Sequence, residues 1–205
     1  MIIGLTGKYC SGKNHVGSIL EKRGIPVLDV DKLGHQVLEN RKQAVIAKFG
    51  ADLEKADGSL DRRLLGQRVF GKPEKLAELE AITHPEINRL TDEWVANQNG
   101  HCVINAAILH KSPIFNKLDR IIIVKSHFLT RFLRARKRDK LTWGAILRRF
   151  VSQKDFDSHY FSINYNSFYA EIYIVGNPGF CRVGLSGSCK HKLEKRIDMI
   201  LEGIT

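Results

Sequence analysis

Residues 1–14 read MIIGLTGKYCSGKN, and this stretch predicts the fold of the chain. Residues 1–6 are a short apolar run that ends beside a glycine, which is typical of a buried parallel strand. From residue 13 to residue 23 apolar side chains recur at helical spacing, and Gly24 follows as a stop signal. The stretch therefore predicts a strand, a glycine loop and a helix in series.

The loop itself, GKYCSGKN at residues 7–14, matches the phosphate-binding pattern G-x-x-x-x-G-K-[ST] at every fixed position except the last. Its glycines let successive backbone amides point inward at phosphate oxygens, and the following helix adds its positive N-terminal end. We expect the loop to bind ATP, with Lys13 reaching the β and γ phosphates; the alternative is a glycine turn with a surface lysine. The nucleotide-binding candidates are Gly7, Tyr9, Cys10, Ser11, Gly12, Lys13, Asn14 and His15.

Two loop residues have chemistry of their own. Asn14 stands where a hydroxyl normally ligates Mg²⁺, and an amide oxygen is a weaker neutral ligand, so we expect an altered metal affinity. Cys10 lies beside a helix N-terminus and two lysines, conditions that lower a thiol pKa. The alternative for Cys10 is a neutral side chain at a variable position of the pattern.

The rest of the chain alternates short apolar runs with helical patterns. Parallel strands need crossover connections, so this order implies a mostly parallel sheet covered on both faces, a three-layer α/β architecture. The further predicted strands are residues 26–28, 101–105, 119–124 and 171–175; helical patterns cover 32–99, 126–153 and 189–201, and residues 177–188 are predicted as a loop.

Composition narrows the class of protein. The chain has 205 residues, 43% of them hydrophobic and 27% charged, as expected for one folded domain with a smaller insertion. No apolar run approaches the roughly 20 residues that span a bilayer, and the four scattered cysteines fit reduced thiols, so we expect a cytoplasmic protein. The net charge of +11 attracts polyanions, and both ATP and nucleic acid are polyanions.

Acidic and basic residues supply further candidates. Asp29 and Asp31 follow the second predicted strand, at the sheet edge where ligands bind, and phosphoryl transfer needs a carboxylate that orients the attacking oxygen or a metal. The alternative is that Asp31 is only the N-cap of a helix beginning at Lys32. The arginine-rich stretch 126–153 is either a lid that brings Arg138, and with it Arg134, to the triphosphate, or a solvated helix face.

With these residues in place, the chain resembles the dephospho-coenzyme A kinase family over nearly its full length. Several moderately specific motifs occur in the family's order. They are IGLTGKYCSGK at residues 3–13, RGIPVLDVDK at 23–32, ADGSLDRR at 56–63, LEAITHPEI at 79–87, RDKLT at 138–142 followed by Arg149 and Gln153, and IVGNPG at 174–179.

The resemblance implies transfer of the ATP γ-phosphoryl group to the ribose 3′-hydroxyl of dephospho-coenzyme A, with ATP and Mg²⁺ as cofactors. It implies that Asp31 is the acceptor-orienting base, that Asp29 and Asn14 serve the metal, and that Arg138 is a lid residue. It also implies that Asn177 lies near the adenine and that His84 lies by the acceptor pocket, the alternative being a locally bonded histidine before Pro85.

The implied fold is a three-layer α/β P-loop kinase fold with a parallel central sheet, a helical substrate-binding insertion and a lid. Residues 1–30, 100–125 and 170–205 would form the nucleotide-binding core, residues 31–99 the helical substrate-binding region, and residues 126–169 the lid region.

The sequence departs from the family pattern at the end of the third predicted strand and soon after it. The family usually has an acidic residue and a proline there and then a glutamate, whereas this chain has Asn105, Ala107 and Lys111. The metal environment is therefore expected to be less acidic. Rival hypotheses are a P-loop kinase for a nucleoside, nucleotide or shikimate-like acceptor, and a divergent ATP-binding or nucleic-acid-binding protein without catalysis. The kinase hypothesis expects a small-molecule substrate, no nucleic-acid or membrane partner, and a monomer or weak homo-oligomer.

Overall fold

A computed structural model of the chain describes residues 1–139, 142–161, 170–177 and 186–202. The chain forms two compact units. The first consists of Met1–Leu28 and Gln98–Thr205, and the second of Asp29–Asn97. The first unit is built around a β-sheet, and the second is helical.

The described strands form one five-stranded sheet in the order β2-β3-β1-β4-β5. β1 pairs in parallel with β3 and with β4, and β4 pairs in parallel with β5. The predicted parallel sheet and its five strands are thus confirmed, each strand to within one residue at either end. The strands are β1 Ile2–Thr6, β2 Val27–Asp29, β3 Cys102–Asn105, β4 Arg120–Lys125 and β5 Glu171–Gly176.

Alternate residues of β1 point to opposite faces of the sheet. Ile3 and Leu5 join a core cluster with side chains of α1 (Lys13–Lys22) and α9 (Ser186–Glu202). Gly4 faces the other way, where a Cβ would lie 2.6 Å from a Leu109 methyl and 2.8 Å from a Leu118 methyl. Both faces of the central strand are therefore covered, as the three-layer prediction requires.

The first unit contains three more helices among its described residues: α6 (Phe128–Asp139), α7 (Trp143–Val151) and α8 (Ser158–Phe161). α6 and α7 pack on each other through Phe132, Ala135 and Ile146, all buried. α9 begins at Ser186, so the prediction that the loop extends to residue 188 is wrong. The first turn of α9 has no apolar residue, and therefore it shows no periodicity; residues 178–185 lie outside the described ranges.

The second unit confirms the helical prediction for residues 32–99. Its helices are α2 (Val30–Asn40), α3 (Lys42–Phe49), α4 (Arg62–Val69) and α5 (Pro73–Ala96). None of the described helices has both the length and the apolar character that a membrane crossing needs. The core of the unit consists of Val45, Phe49, Leu53, Leu60, Leu65 and Val69.

Candidate functional site

The glycine loop joins β1 to α1 at the carboxyl end of the central strand. Gly12 is the N-cap residue of α1 with φ of 95°, and its carbonyl accepts hydrogen bonds from the amides of His15 (3.0 Å) and Val16 (3.2 Å). Residues with side chains rarely adopt a positive φ, so this position favours glycine. The loop thus ends at the positive pole of a ten-residue helix.

Close packing explains both glycines of the motif. A Cβ on Gly7 would lie 2.6 Å from the carbonyl oxygen of Val124, and a Cβ on Gly12 would lie 2.2 Å from Asn177 Nδ2. Between them, the hydroxyl of Ser11 is buried and has no hydrogen-bond partner among the residues that the structure describes. Val124 and Asn177 therefore pack closely against the loop, and the loop contains the buried hydroxyl of Ser11.

Asn105, at the end of β3, links the last two residues of the loop motif. Lys13 Nζ donates to Asn105 Oδ1 at 3.2 Å, and Asn105 Nδ2 donates to Asn14 Oδ1 at 3.2 Å. Asn105 is only 2% exposed. In the sequence, Asn105 stood out only because the family has an acidic residue there. In the structure it connects Lys13 to Asn14, the residue in the metal-ligand position.

Tyr9 is held through its backbone by α6 and by Gln153, which lies two residues after the end of α7. Arg131 Nε donates to the carbonyl of Tyr9 at 2.8 Å, and the amide of Tyr9 donates to Gln153 Oε1 at 2.6 Å. Arg131 is buried, with its guanidinium 4.3 Å from the centre of the Phe150 ring. Burial lowers the pKa of Arg131, but arginine stays charged near neutrality.

Arg134, one turn along α6, binds the next two carbonyls of the loop. Its Nη1 donates to the carbonyls of Ser11 (2.9 Å) and Cys10 (3.3 Å), and its Nη2 donates to Asn177 Oδ1 at 3.0 Å. Asn177 Nδ2 in turn donates to the carbonyl of Ser11 at 3.1 Å. The carbonyl of Ser11 is therefore held by two donors from different elements.

The side chain of Tyr9 lies in a charged cluster. The guanidinium groups of Arg138 and Arg149 are each 5.3 Å from the centre of its ring, and its hydroxyl donates to Asp139. Arg138 Nε donates to Asp139 Oδ1 at 2.6 Å, and this bond is the main reason why the pKa of Asp139 is lowered. Burial and the bond to Asp139 raise the pKa of Tyr9. Arg138 is thus paired with Asp139 beside the loop, and its predicted contact with phosphates stays a prediction.

Comparison with known proteins identifies the family. The sequence profile of dephospho-CoA kinases matches residues 1–160. The chain belongs to the dephospho-CoA kinase family. Family members are ATP-using transferases of the last step of coenzyme A synthesis, and this bears out the resemblance and the kinase prediction.

Individual dephospho-CoA kinases and related structures agree with this membership. A dephospho-CoA kinase of Dehalococcoides mccartyi is 31% identical over 200 residues, 95% of this chain and 96% of the relative. The crystal structure of TT1252 from Thermus thermophilus has a TM-score of 0.79 and 28% identity, and covers 100% of this chain and 98% of its own. Dephospho-CoA kinase from Campylobacter jejuni has a TM-score of 0.60 at 21% identity, with 100% and 97% covered, and supports the fold alone. The predicted P-loop kinase fold is confirmed.

The acidic pair lies in the second unit. Asp29 is the N-cap residue of α2, and its Oδ1 accepts a hydrogen bond from the amide of Lys32 at 3.1 Å. The alternative that Asp31 caps a helix beginning at Lys32 is therefore wrong, because the helix begins at Val30 and places Asp31 inside its first turn. Asp31 is exposed there. The catalytic role of Asp31 and the metal role of Asp29 stay predictions.

His84 also belongs to the second unit, on α5. The helix continues through Pro85, and His84 is exposed one residue before it. Thr83 Oγ1 donates to the carbonyl of Leu79 at 3.0 Å within the same turn. The expected place of His84 by an acceptor pocket stays a prediction.

Of the two interpretations of Cys10, the structure favours the neutral side chain. Burial raises the pKa of its thiol, and this outweighs the opposing effects of Arg138 and Arg131. The helix N-terminus and the lysines therefore do not make Cys10 an activated thiol, because the loss of hydration destabilises the thiolate more than nearby positive charges stabilise it. Cys10 and Cys102 are free cysteines among the described residues, and Cys181 lies outside them.

Some predicted motif positions lie beyond what the structure describes. Lys140 and Leu141 of the lid motif and Pro178 and Gly179 beside Asn177 fall outside the described ranges. Asn177 itself is 6% exposed and contacts the loop, so its expected contact with adenine stays a prediction.

Proposed function

We propose that this protein transfers the γ-phosphoryl group of ATP to the ribose 3′-hydroxyl of dephospho-coenzyme A. The observation that carries the proposal is the glycine loop at the start of α1, with Lys13 held by Asn105, in a chain of the dephospho-CoA kinase family. A loop of this kind binds phosphates with its amides and its lysine and does no covalent chemistry of its own.

The residues of the loop fit a nucleotide. A triphosphate needs a concave set of amides, a cation near the β and γ phosphates, and hydroxyl donors. Gly12 and Lys13 open the helix, and the buried Ser11 hydroxyl supplies a donor that no described residue uses. In this proposal Lys13 offsets charge on the migrating phosphoryl group, while Gly7, Tyr9, Cys10, Asn14 and His15 line the nucleotide site.

The proposal assigns Mg²⁺ to oxygen atoms of Asn14 and Asp29. Asn14 Oδ1 and the carboxylate of Asp29 are hard oxygen ligands of the kind that Mg²⁺ prefers. Asn14 is exposed, and its Oδ1 accepts a hydrogen bond from Asn105 Nδ2. When bound, the ion would offset negative charge on the phosphates. Because Asn14 and Asn105 are neutral, we expect a metal affinity lower than that of a site with a carboxylate.

The acceptor side of the proposal rests on the second unit and on α6. Asp31 would orient the ribose hydroxyl as the general base, and its exposure in the first turn of α2 supports its access to a substrate. His84 would bind the acceptor, and Asn177 would lie near the adenine. Arg138 would move from Asp139 to the phosphates as part of a lid formed by residues 126–169.

Lys13→Ala tests the proposal directly. We expect ADP release with ATP, Mg²⁺ and dephospho-coenzyme A to fall by roughly 10²-fold or more, since the variant removes a cation that acts on the transferred group. The matched control is Lys22→Ala in the exposed last turn of the same helix, which should leave turnover unchanged. A coupled ADP assay measures both variants.

Three outcomes would contradict the proposal in different ways. Equal turnover in Lys13→Ala and the native chain would remove Lys13 from the mechanism. Turnover with a nucleoside, nucleotide or shikimate but none with dephospho-coenzyme A would show that the acceptor is wrong. ATP binding with no turnover on any acceptor would favour a binding-only descendant of the family.

We also propose that the enzyme is cytoplasmic, that it is a monomer or a weak homo-oligomer, and that it has no nucleic-acid or membrane partner. The expected absence of a nucleic-acid partner is supported by Arg131 and Arg134, part of the +11 net charge, which bind the loop. Size-exclusion chromatography with light scattering would measure the assembly. Salt-sensitive binding to random oligonucleotides that ATP does not compete away would contradict the absence of a nucleic-acid partner.

A further inference from the structure

Side chains hold two carbonyls of the loop, those of Tyr9 and Ser11, from the side opposite to the expected nucleotide. In a trans peptide unit the carbonyl of one residue and the amide of the next point in opposite directions. Holding the carbonyl of Ser11 therefore also sets the direction of the Gly12 N–H. Likewise, the bond from Arg131 to the carbonyl of Tyr9 sets the direction of the Cys10 N–H.

The Ser11 carbonyl is held most firmly. It accepts from Arg134 Nη1 at 2.9 Å and from Asn177 Nδ2 at 3.1 Å. The two donors are joined to each other by the bond from Arg134 Nη2 to Asn177 Oδ1 at 3.0 Å. The planar guanidinium has a rigid fork of donors, and the Asn177 side chain is nearly fully buried, so neither group turns freely.

Gly12 completes this arrangement because it lets the two side chains approach the backbone. A Cβ at this position would lie 2.2 Å from Asn177 Nδ2 and 3.4 Å from Arg134 Nη1. The positive φ of Gly12 orients its peptide unit toward the start of α1. The amide that begins the phosphate-binding helix thus belongs to a peptide unit held on its other side by two side chains, one from α6 and one from the residue after β5.

We propose that Arg134 and Asn177 are positioning residues that aim the Gly12 amide at the phosphates of the nucleotide by holding the carbonyl of Ser11. The inference rests on the proposed function only in that a nucleotide occupies the loop. A donor already aimed at the place where charge develops needs no reorganisation during the reaction, which is why such preorganisation stabilises a transition state.

This role differs from a direct contact between Arg134 and the triphosphate, the role that the basic stretch suggested. Nη1 already serves two loop carbonyls and lies 3.3 Å from Ser126 Oγ, while Nη2 serves Asn177. A single lysine ammonium cannot span these acceptors as the guanidinium does, although it keeps the positive charge. The variant Arg134→Lys therefore keeps the positive charge and loses the hydrogen bonds that position the loop.

The test compares Arg134→Lys and Arg134→Met with Lys137→Met, an exposed residue of the same helix. Calorimetry gives the affinity for Mg-ATP, and the coupled assay gives kcat and the KM of each substrate. We expect both Arg134 variants to lose at least about tenfold in kcat/KM for ATP, since small misplacements of catalytic groups have effects of this size. The KM for dephospho-coenzyme A should not change, and Lys137→Met should behave like the native chain.

A second variant keeps the test decisive if an Arg134 variant fails to fold. Asn177→Asp retains an acceptor for Arg134 but loses the donor to the Ser11 carbonyl, so it should weaken ATP binding in the same way. The double variant Arg134→Met/Asn177→Asp should lose less than the sum of the single losses, because both residues act on one carbonyl. Circular dichroism would establish that the variants are folded.

The contradicting results are specific. Native ATP affinity in Arg134→Lys together with loss in Arg134→Met would mean a direct charge contact and would overturn the inference. Fully additive losses in the double variant, or native behaviour in Asn177→Asp, would also overturn it. If the native chain binds ATP but phosphorylates a different acceptor, the proposed function fails while the positioning role stands.

Discussion

Asn105 uses both ends of its carboxamide. The oxygen accepts from Lys13, and the nitrogen donates to Asn14, in a position almost inaccessible to water. A carboxylate at this position would accept from Lys13 but would have no proton for the Asn14 oxygen. The two asparagines are therefore matched to each other, and their departures from the family pattern form one hydrogen-bonded pair.

Asn14→Ser tests this pair at the scale of single residues. Serine is too short to keep the bond, so the buried Nδ2 of Asn105 loses a partner and the free energy of unfolding should fall by about 1–3 kcal/mol. The magnesium concentration for half-maximal turnover should shift as well, because the ligand at this position changes from an amide to a hydroxyl. Urea unfolding and a magnesium titration measure the two effects.

Asn40→Ser is the matched control, since Asn40 is exposed at the end of α2 and should change stability by less than about 0.5 kcal/mol. Unchanged stability and an unchanged magnesium curve in Asn14→Ser would mean that the pair contributes nothing.

At the scale of elements, α6 places its arginines by helical spacing. Arg131, Arg134 and Arg138 follow one another at intervals of three and four residues, so they share one face of the helix. All three contact the loop or its Tyr9 ring, whereas Arg136 lies over the Trp143 ring and Lys137 is exposed. The sequence suggested either a lid or a solvated face. Separating the two sets required knowing which face packs on the loop, since basic residues lie on both sides of the helix.

A helix cap in the second unit supplies a prediction at the same scale. Asp61 caps α4 by accepting hydrogen bonds from the amides of Arg63 (3.0 Å) and Leu64 (2.9 Å). Asp61→Ala should lower the free energy of unfolding by about 1 kcal/mol, because two amides lose their acceptor. Asp61→Asn keeps an acceptor oxygen and should stay close to the native stability. Equal losses in both variants by urea unfolding would contradict the capping role.

At the scale of the whole molecule, ligand binding should raise the melting temperature. A ligand at 100 times its Kd stabilises the folded state by about 2.7 kcal/mol, which corresponds to roughly 5–10 °C for a chain of this size. We therefore expect thermal-shift measurements to show this rise with Mg-ATP, a rise with dephospho-coenzyme A, and a larger one with an unreactive ATP analogue and dephospho-coenzyme A together. A rise with random oligonucleotides, and none with ATP, would contradict the kinase assignment.

The sequence alone determined which segments form the strands of the sheet, the glycine loop and the helix that follows it. The strands, the glycine loop and the helix after it were predictable because apolar periodicity and glycine spacing act between residues close in the chain. The boundary of α9 was missed where its first turn lacks apolar residues, and the alternative considered for Asp31 placed the cap of α2 at the wrong aspartate.

The contacts within the site depended on the folded chain. Arg134 lies 123 positions from the Ser11 carbonyl that it binds, and Asn105 lies 91 positions from Asn14. Burial decided between the two interpretations of Cys10, because it raises the pKa of the thiol. Such partners and such desolvation arise only when distant segments pack together, so local propensity and spacing contain no information about them.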